Sequence, residues 1–313
     1  MNGLLTLGRW LRGQGYRFTT ATPATHALVN ARPGNARATD LRGIFGWSRP
    51  FDASLLPHAV VHAMQEAGLL QARAGGLLSS LVRFSSIGDD LFAHSAFPTT
   101  QPDSVFFGPD TYRFAALIDE VLRRRPLIEG AARILDMGCG AGPGGIVAAR
   151  LSSAASPHLV LADINPAALL HAGANADLAG LPRVQFAQGD LFNAVTGAFD
   201  LVVANPPYLN DSAQRTYRHG GGTWGEGLSE RIVREGLPRL TPGGRLVLYT
   251  GAAIVEGADP LLDALRPRLQ EQGWPWTYRE LDPDVFGEEL AEPAYAGAER
   301  IAAVALVVHR PGP

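Results

Sequence analysis

At 313 residues, with 46% hydrophobic and 18% charged residues, the chain is long enough for one large water-soluble domain or two ordinary ones. No apolar run approaches the ~20 residues that span a bilayer, and one cysteine excludes an internal disulfide framework. Every one of the 27 basic residues is Arg, and they are unevenly spread: residues 1–100 hold nine against five acids (+4), whereas residues 101–313 hold 18 against 25 (−7).

These features predict a cytoplasmic protein with no membrane segment. The N-terminus, where Arg9 and Arg12 interrupt a short Leu-rich stretch, does not read as a signal peptide. Residues 1–50 carry seven Arg and one acid, Asp40. A solvated surface accounts for this most simply; a face for an RNA-containing partner is the alternative.

The first hundred residues read as a small α+β domain. A helix is expected over 54–70, capped by Ser54, with Pro57 in its first turn and an apolar face through Leu56, Val60, Val61 and Met64. Before it, 40–47 reads as a packed segment anchored by Phe45 and Trp47. Residues 82–86 and 91–94 read as two short strands about a Gly88-Asp89-Asp90 turn. His58 and His62 share a helix face, but no third metal ligand is evident and no metal site is expected.

Residues 96–103, with two prolines, mark the expected linker. A helix follows over 114–122, with Asp110 or Thr111 as its cap and Arg123, Arg124 and Arg125 at its end. From Arg133 strands and helices alternate. Strands are expected at 133–137, 159–162, 184–187, 201–204, 245–249, 276–281 and 301–308. Helices are expected at 143–151, 166–178 and 226–240. Such alternation predicts an α/β fold: a Rossmann-like, seven-stranded, mostly parallel sheet with helices on both faces.

Ligands of such sheets sit beyond the carboxyl ends of the strands, where the informative residues collect. The first strand runs into Asp136-Met137-Gly138-Cys139-Gly140-Ala141-Gly142, a turn that lets backbone and ligand approach closely. Gly140 to Gly145 also satisfies G-x-G-x-x-G, which keeps a nicotinamide or flavin enzyme in play. Asp163 ends the second strand, where a carboxylate accepts hydrogen bonds from ribose hydroxyls; a cap before Pro166 is its plain alternative. Asp136 would repel a pyrophosphate and welcome an amino group. Asp190 follows the third strand, within reach of an adenine amino group. The fourth strand ends in Asn205-Pro206-Pro207-Tyr208, where prolines without N–H force the chain out of the sheet. A Pro-Pro turn after a core strand is the plain alternative there.

Together these motifs resemble the class I S-adenosylmethionine-dependent methyltransferases, in the Asn-Pro-Pro-Tyr branch that methylates planar nitrogens, over residues 105–308. The resemblance implies that Asp136, Gly138, Cys139, Gly140 and Gly142 line the methionine end of the cofactor. It implies that Asp163 binds the ribose, Ile164 packs on the adenine, and Asp190 with Leu191 holds the adenine edge. Cys139 is a small filler, not a nucleophile. Asn205 and the Pro206 carbonyl would accept both N–H bonds of a planar nitrogen, and Tyr208 would offer a flat face.

Within the branch, the chain looks most like the release-factor glutamine methyltransferases and their small-domain relatives. Gly108-Pro109-Asp110-Thr111 resembles their segment bordering the cofactor, and 221–228 their Gly-rich stretch. The first hundred residues do not match their helical substrate domain. The expected partner is therefore a macromolecule: a translation factor or other protein, with rRNA or another nucleic acid, met through the Arg-rich N-terminal domain, as the alternative. The expected division is 1–100 for substrate recognition and 101–313 for catalysis. A chain beginning near Gln101 is then expected to bind cofactor and lose its substrate. An NAD-dependent oxidoreductase and a binding module with a dead site are the readings from other classes.

Overall fold

In the computed structural model, which describes residues 2–127, 132–153, 156–212, 215 and 217–312, all seven strands expected after Arg133 are present in one sheet. They are β1 (Arg133–Met137), β2 (His158–Asp163), β3 (Val184–Gln188), β4 (Phe199–Ala204), β5 (Leu240–Ile254), β6 (Trp276–Asp282) and β7 (Arg300–His309). The spatial order is β6-β7-β5-β4-β1-β2-β3. Strands β1 to β5 pair in parallel, and β7 runs antiparallel to both its neighbours. The order reverses between β1 and β4, which is where such sheets open a binding crevice.

The helices are α1 (Pro109–Arg124), α2 (Pro143–Leu151), α3 (Pro166–Ala179), α4 (Gly227–Gly236) and α5 (Pro260–Gln272). Alternate strand residues serve opposite faces of the sheet. Leu135, Met137, Val160 and Ala162 share a core with Ile232 and Val233 of α4 and Leu261, Leu265 and Leu269 of α5. On the opposite face, Leu159 and Leu161 approach α2 so closely that a Cβ on Gly145 would lie 2.8 Å from Leu159 Cδ1. Helix α2 therefore needs glycine there for packing. The segment 241–244, between the expected helix 226–240 and strand 245–249, is looped out at a register shift within β5.

The chain divides into two units: Met1–Tyr112 with Gly140–Pro143 and Ala167–Pro182, and the remainder, which holds the sheet. The first unit contains helices Asn2–Gly13, Pro23–Asn30, Leu41–Phe45 and His58–Glu66. Asp40 caps the third by accepting the Gly43 N–H at 2.6 Å. Leu70–Ala72 pairs with Leu78–Ser80, and Val82–Ile87 pairs with Asp90–Ser95. Among the described residues no helix is long and apolar enough to cross a membrane.

Three sequence expectations need correction. The helix expected over 54–70 begins only at His58, with Pro57 in front of it; Ser54 lies in a 3-10 turn whose N–H is held by Asp52. Asp110 and Thr111 are not caps before the later helix, since α1 already begins at Pro109. They sit buried in its first turn, where Thr111 Oγ1 accepts the Gly108 N–H and an acid suits the helix dipole. Nor does the grouping fall at residue 100. Ala174 and Leu178 of α3 belong to the core of Leu4, Leu7, Leu11 and Phe84, and Arg12 donates to the Leu178 carbonyl at 2.7 Å. A chain cut near Gln101 would strip that core from Ala167–Pro182, so it should not retain an intact Gly140–Pro143 turn.

Candidate cofactor and acceptor site

Four strands of the sheet deliver candidate residues at one level. Met137 is paired with both Ala162 and Ala204, and Asp163 with Gln188. Gly138, Asp163, Gly189 and Asn205 therefore leave the sheet side by side at its carboxyl edge.

Asp136 supports this edge from beneath. Its side chain is turned inward, with 1% of the residue exposed, and Oδ2 accepts the Gly145 N–H at 2.7 Å. Burial pushes its carboxyl up to about 7, and nearby Asp163 adds to the rise while the Gly145 bond opposes it. The sequence pictured this carboxylate meeting an amino group; its observed partner is the first turn of α2. Raised from 3.8 to about 7, this group contributes stability in full below pH 4 and loses it as pH rises through 7. Asp136→Asn should therefore be stabilised relative to the parent at pH 8 by up to roughly 4 kcal/mol, and at pH 5 by less than about half of that. Thermal melts at both pH values check this, and equal shifts at both would refute it.

The turn after β1 is stitched to β2, since Gly138 and Cys139 both donate N–H to the Ala162 carbonyl, at 2.9 and 3.0 Å. Positive φ values at Gly138, Gly140 and Gly142 let this backbone turn without Cβ strain. The Cys139 thiol is buried, and burial pushes its pKa well up, which denies it thiolate character.

At the end of β2, Asp163 Oδ1 accepts the Asn165 N–H at 2.8 Å. Ile164 beside it is 53% exposed. A large aliphatic side chain held open at the carboxyl edge suits a flat, partly apolar ligand. After β3, Asp190 is exposed and grips Arg231 of α4 through both oxygens, at 2.9 and 3.2 Å. No motif pointed to Arg231. Two contacts leave lone pairs on the carboxylate for a further donor. Leu191 follows at φ 46.

Asn205 is half-buried, and among the described residues its side-chain amide has no hydrogen-bond partner. A strand-capping role would require one. Tyr208 differs from expectation: it is 7% exposed, its ring fitting against Gly251 of β5, where a Cβ would lie 2.3 Å from Tyr208 Cδ2. The ring also meets Phe286 edge-on, with centroids 5.9 Å apart. Tyr208 is thus an anchor for the turn more than an open platform.

The described residues of 209–226 fold back on that turn. The Gly220 N–H donates to the Leu209 carbonyl at 2.8 Å, and the Leu209 N–H donates to the Arg218 carbonyl. Tyr295 Oη accepts the Asn210 N–H and donates to the Trp224 carbonyl. Glu289, also from the connection between β6 and β7, pairs with Arg218. Phe286, Glu289 and Tyr295 carried no motif, so the sequence did not single them out. Asp110, Thr111, Gly140 and Gly142 belong to the other unit.

Residues 115–255 match the family model of the methyltransferase small domain. The chain is 34% identical over 193 residues to the release factor glutamine methyltransferase of Deinococcus radiodurans, covering 58% of this chain and 63% of that protein, less than two thirds of its length. It is 33% identical over 120 residues to the ribosomal RNA small subunit methyltransferase C of Chromohalobacter salexigens, covering 38% and 32%. The crystal structure of Trm5b from Pyrococcus abyssi shares the fold, with a TM-score of 0.50 at 14% identity over 77% of this chain and 62% of that one. The likeness to the methyltransferase small domain thus spans residues 115–255, which hold β1 to β5 and the Asn205-Pro206-Pro207-Tyr208 turn.

Proposed function

We propose that this protein is an S-adenosylmethionine-dependent N-methyltransferase whose acceptor is a planar nitrogen, first of all the amide of a protein glutamine. The observation that carries this reading is the Asn205 amide, unpartnered among the described residues, which leaves the sheet level with Gly138 and Asp163. S-adenosylmethionine supplies an electrophilic methyl group on a sulfonium. The residues fit it: Asp163 for ribose hydroxyls, Ile164 for the adenine face, Asp190 and Leu191 for its edge, and the 138–142 turn for the methionine end.

An amide nitrogen is a weak nucleophile because its lone pair is delocalised. Asn205 Oδ1 and the Pro206 carbonyl accept its two N–H bonds, which turns the lone pair toward the methyl group. As the C–N bond forms and the S–CH3 bond breaks, the same two oxygens stabilise the positive charge growing on nitrogen. The electron pair of the broken bond stays on sulfur, and the surplus N–H proton leaves to solvent. Pro206 and Pro207 fix the direction in which these oxygens point.

The relatives named above act on a release factor and on ribosomal RNA. A nucleic-acid amino group is the second reading, favoured by the seven Arg and single acid of residues 1–50. In this scheme residues 1–100 recognise the macromolecule, and the reaction takes place in the cytoplasm. Labelled S-adenosylmethionine with purified release factors in one reaction and small-subunit ribosomal RNA in another separates them: label sensitive to protease supports the first, label sensitive to nuclease the second. Asp163→Ala should weaken S-adenosylhomocysteine binding by about 1.5–3 kcal/mol. Calorimetry with tight NAD binding and no S-adenosylhomocysteine binding would overturn the assignment.

A further inference from the structure

Asn175 of α3 is a fully buried polar residue among Ala172, Ala174 and Ala176, which are also fully buried. Its Oδ1 accepts the Ala93 N–H at 2.7 Å. Its Nδ2 donates to the Ala93 carbonyl at 3.0 Å and to the Ala141 carbonyl at 2.8 Å. Ala93 lies on Asp90–Ser95, one strand of a two-stranded hairpin, so each strand has an open edge. The side-chain amide meets that edge as a neighbouring strand would, with an acceptor and a donor side by side. The second hydrogen on Nδ2 reaches the glycine-rich turn after β1.

This second contact decides how the turn presents itself. Ala141 stands between Gly140 at φ 52 and Gly142 at φ 79. Glycines tolerate either sign of φ, so the peptide between 141 and 142 could rotate at little cost. Pinning the Ala141 carbonyl on Asn175 stops this. In a trans peptide the N–H points opposite to the C=O, so the Gly142 N–H is aimed away from α3. An apolar side chain would suit the surroundings of Asn175 better, and would leave three buried backbone groups without partners.

We infer that Asn175 is a positioning residue that makes the shape of the 140–142 turn, and through it cofactor affinity, depend on the hairpin strand Asp90–Ser95. The step to affinity rests on the methyltransferase reading above; the linkage itself does not. A hairpin in the Arg-rich N-terminal region and the cofactor turn would then respond to each other's ligands, since such coupling is reciprocal.

Two measurements decide it. In hydrogen exchange, Asn175→Ala should speed exchange at 138–145 and 90–95 together, by about tenfold or more at a temperature where the variant remains folded. On that folded protein, S-adenosylhomocysteine should bind about tenfold more weakly, the loss expected for one buried hydrogen bond that orients a binding loop. A purely structural asparagine would lower the melting temperature with exchange at 138–145 and affinity per folded molecule near the parent's, and that result overturns the inference. The unaltered protein gives the second measurement, needed if the variant does not fold. Saturating S-adenosylhomocysteine should protect 90–95 as well as 138–145; protection confined to 138–145 overturns the coupling. If the parent binds no S-adenosylhomocysteine, the methyltransferase reading fails, and the exchange rates of Asn175→Ala still decide the linkage.

Discussion

Asn205→Ala is expected to lower kcat roughly 10²–10³-fold, the usual loss when one preorganised charge-stabilising group is removed. The structure makes this test cleaner than the sequence alone did. The Asn205 amide has no partner among the described residues, so its truncation leaves no backbone group newly unsatisfied. Stability should change by no more than about 0.5 kcal/mol. Pro206 and Pro207 still direct the turn, and the residues proposed to hold the cofactor, Asp163, Asp190 and the 138–142 turn, are unchanged, so S-adenosylhomocysteine affinity should stay within about threefold. Asn205→Asp keeps an oxygen acceptor and adds a charge near the sulfonium, and should retain more activity than the alanine variant. Melting temperature and kcat are measured on one preparation. A destabilised variant that turns over normally would show that Asn205 supports the strand end and does no chemistry.

The sheet was legible because parallel strands are buried on both faces and read as short continuous apolar runs. Each run here ends in a polar residue at the carboxyl edge: Asp163 after Ala162, Asn205 after Ala204. Gly251 was a missed signal. A glycine inside an apolar strand marks a close approach, and here the Tyr208 ring occupies the place of its Cβ. The helix Asn2–Gly13 escaped notice because Gly3 and Gly8 lower its propensity. Gly8 is explained only by tertiary structure, since a Cβ there would lie 2.5 Å from Leu178 Cδ1. The same distance in sequence, 170 residues, hid the return of α3 to the N-terminal core. No local pattern marks that partner, and the cut at residue 100 followed from the charge shift and the prolines of 96–103. Phe286 and Tyr295 lie in a connection with no periodicity, so only the structure shows them against Tyr208 and Asn210.

Gly225→Ala is the second change expected to have a large effect. Gly225 has φ 98, and a Cβ there would lie 2.2 Å from the Tyr208 carbonyl oxygen and 2.8 Å from the Leu209 carbonyl carbon. Both are backbone atoms, so no rotamer change relieves the clash. The loop must move, or the Pro207–Leu209 backbone must. Overpacking of this kind costs about 1–3 kcal/mol. A displacement near 1 Å at an acceptor-orienting turn costs about 10²-fold in rate. The expected result is therefore a kcat/KM about 10²-fold lower, with S-adenosylhomocysteine affinity within about threefold, because the cofactor residues leave other strands. Gly221→Ala is the matched control. Gly221 also has positive φ, at 72, but nothing lies within 4 Å of its added Cβ. It carries the conformational strain, about 1–2 kcal/mol, without the clash. If Gly225→Ala and Gly221→Ala lose stability and activity alike, strain alone explains both, and the glycine-rich loop does not brace the Asn-Pro-Pro-Tyr turn. A loss of activity confined to Gly225→Ala places the origin in the contact with Tyr208.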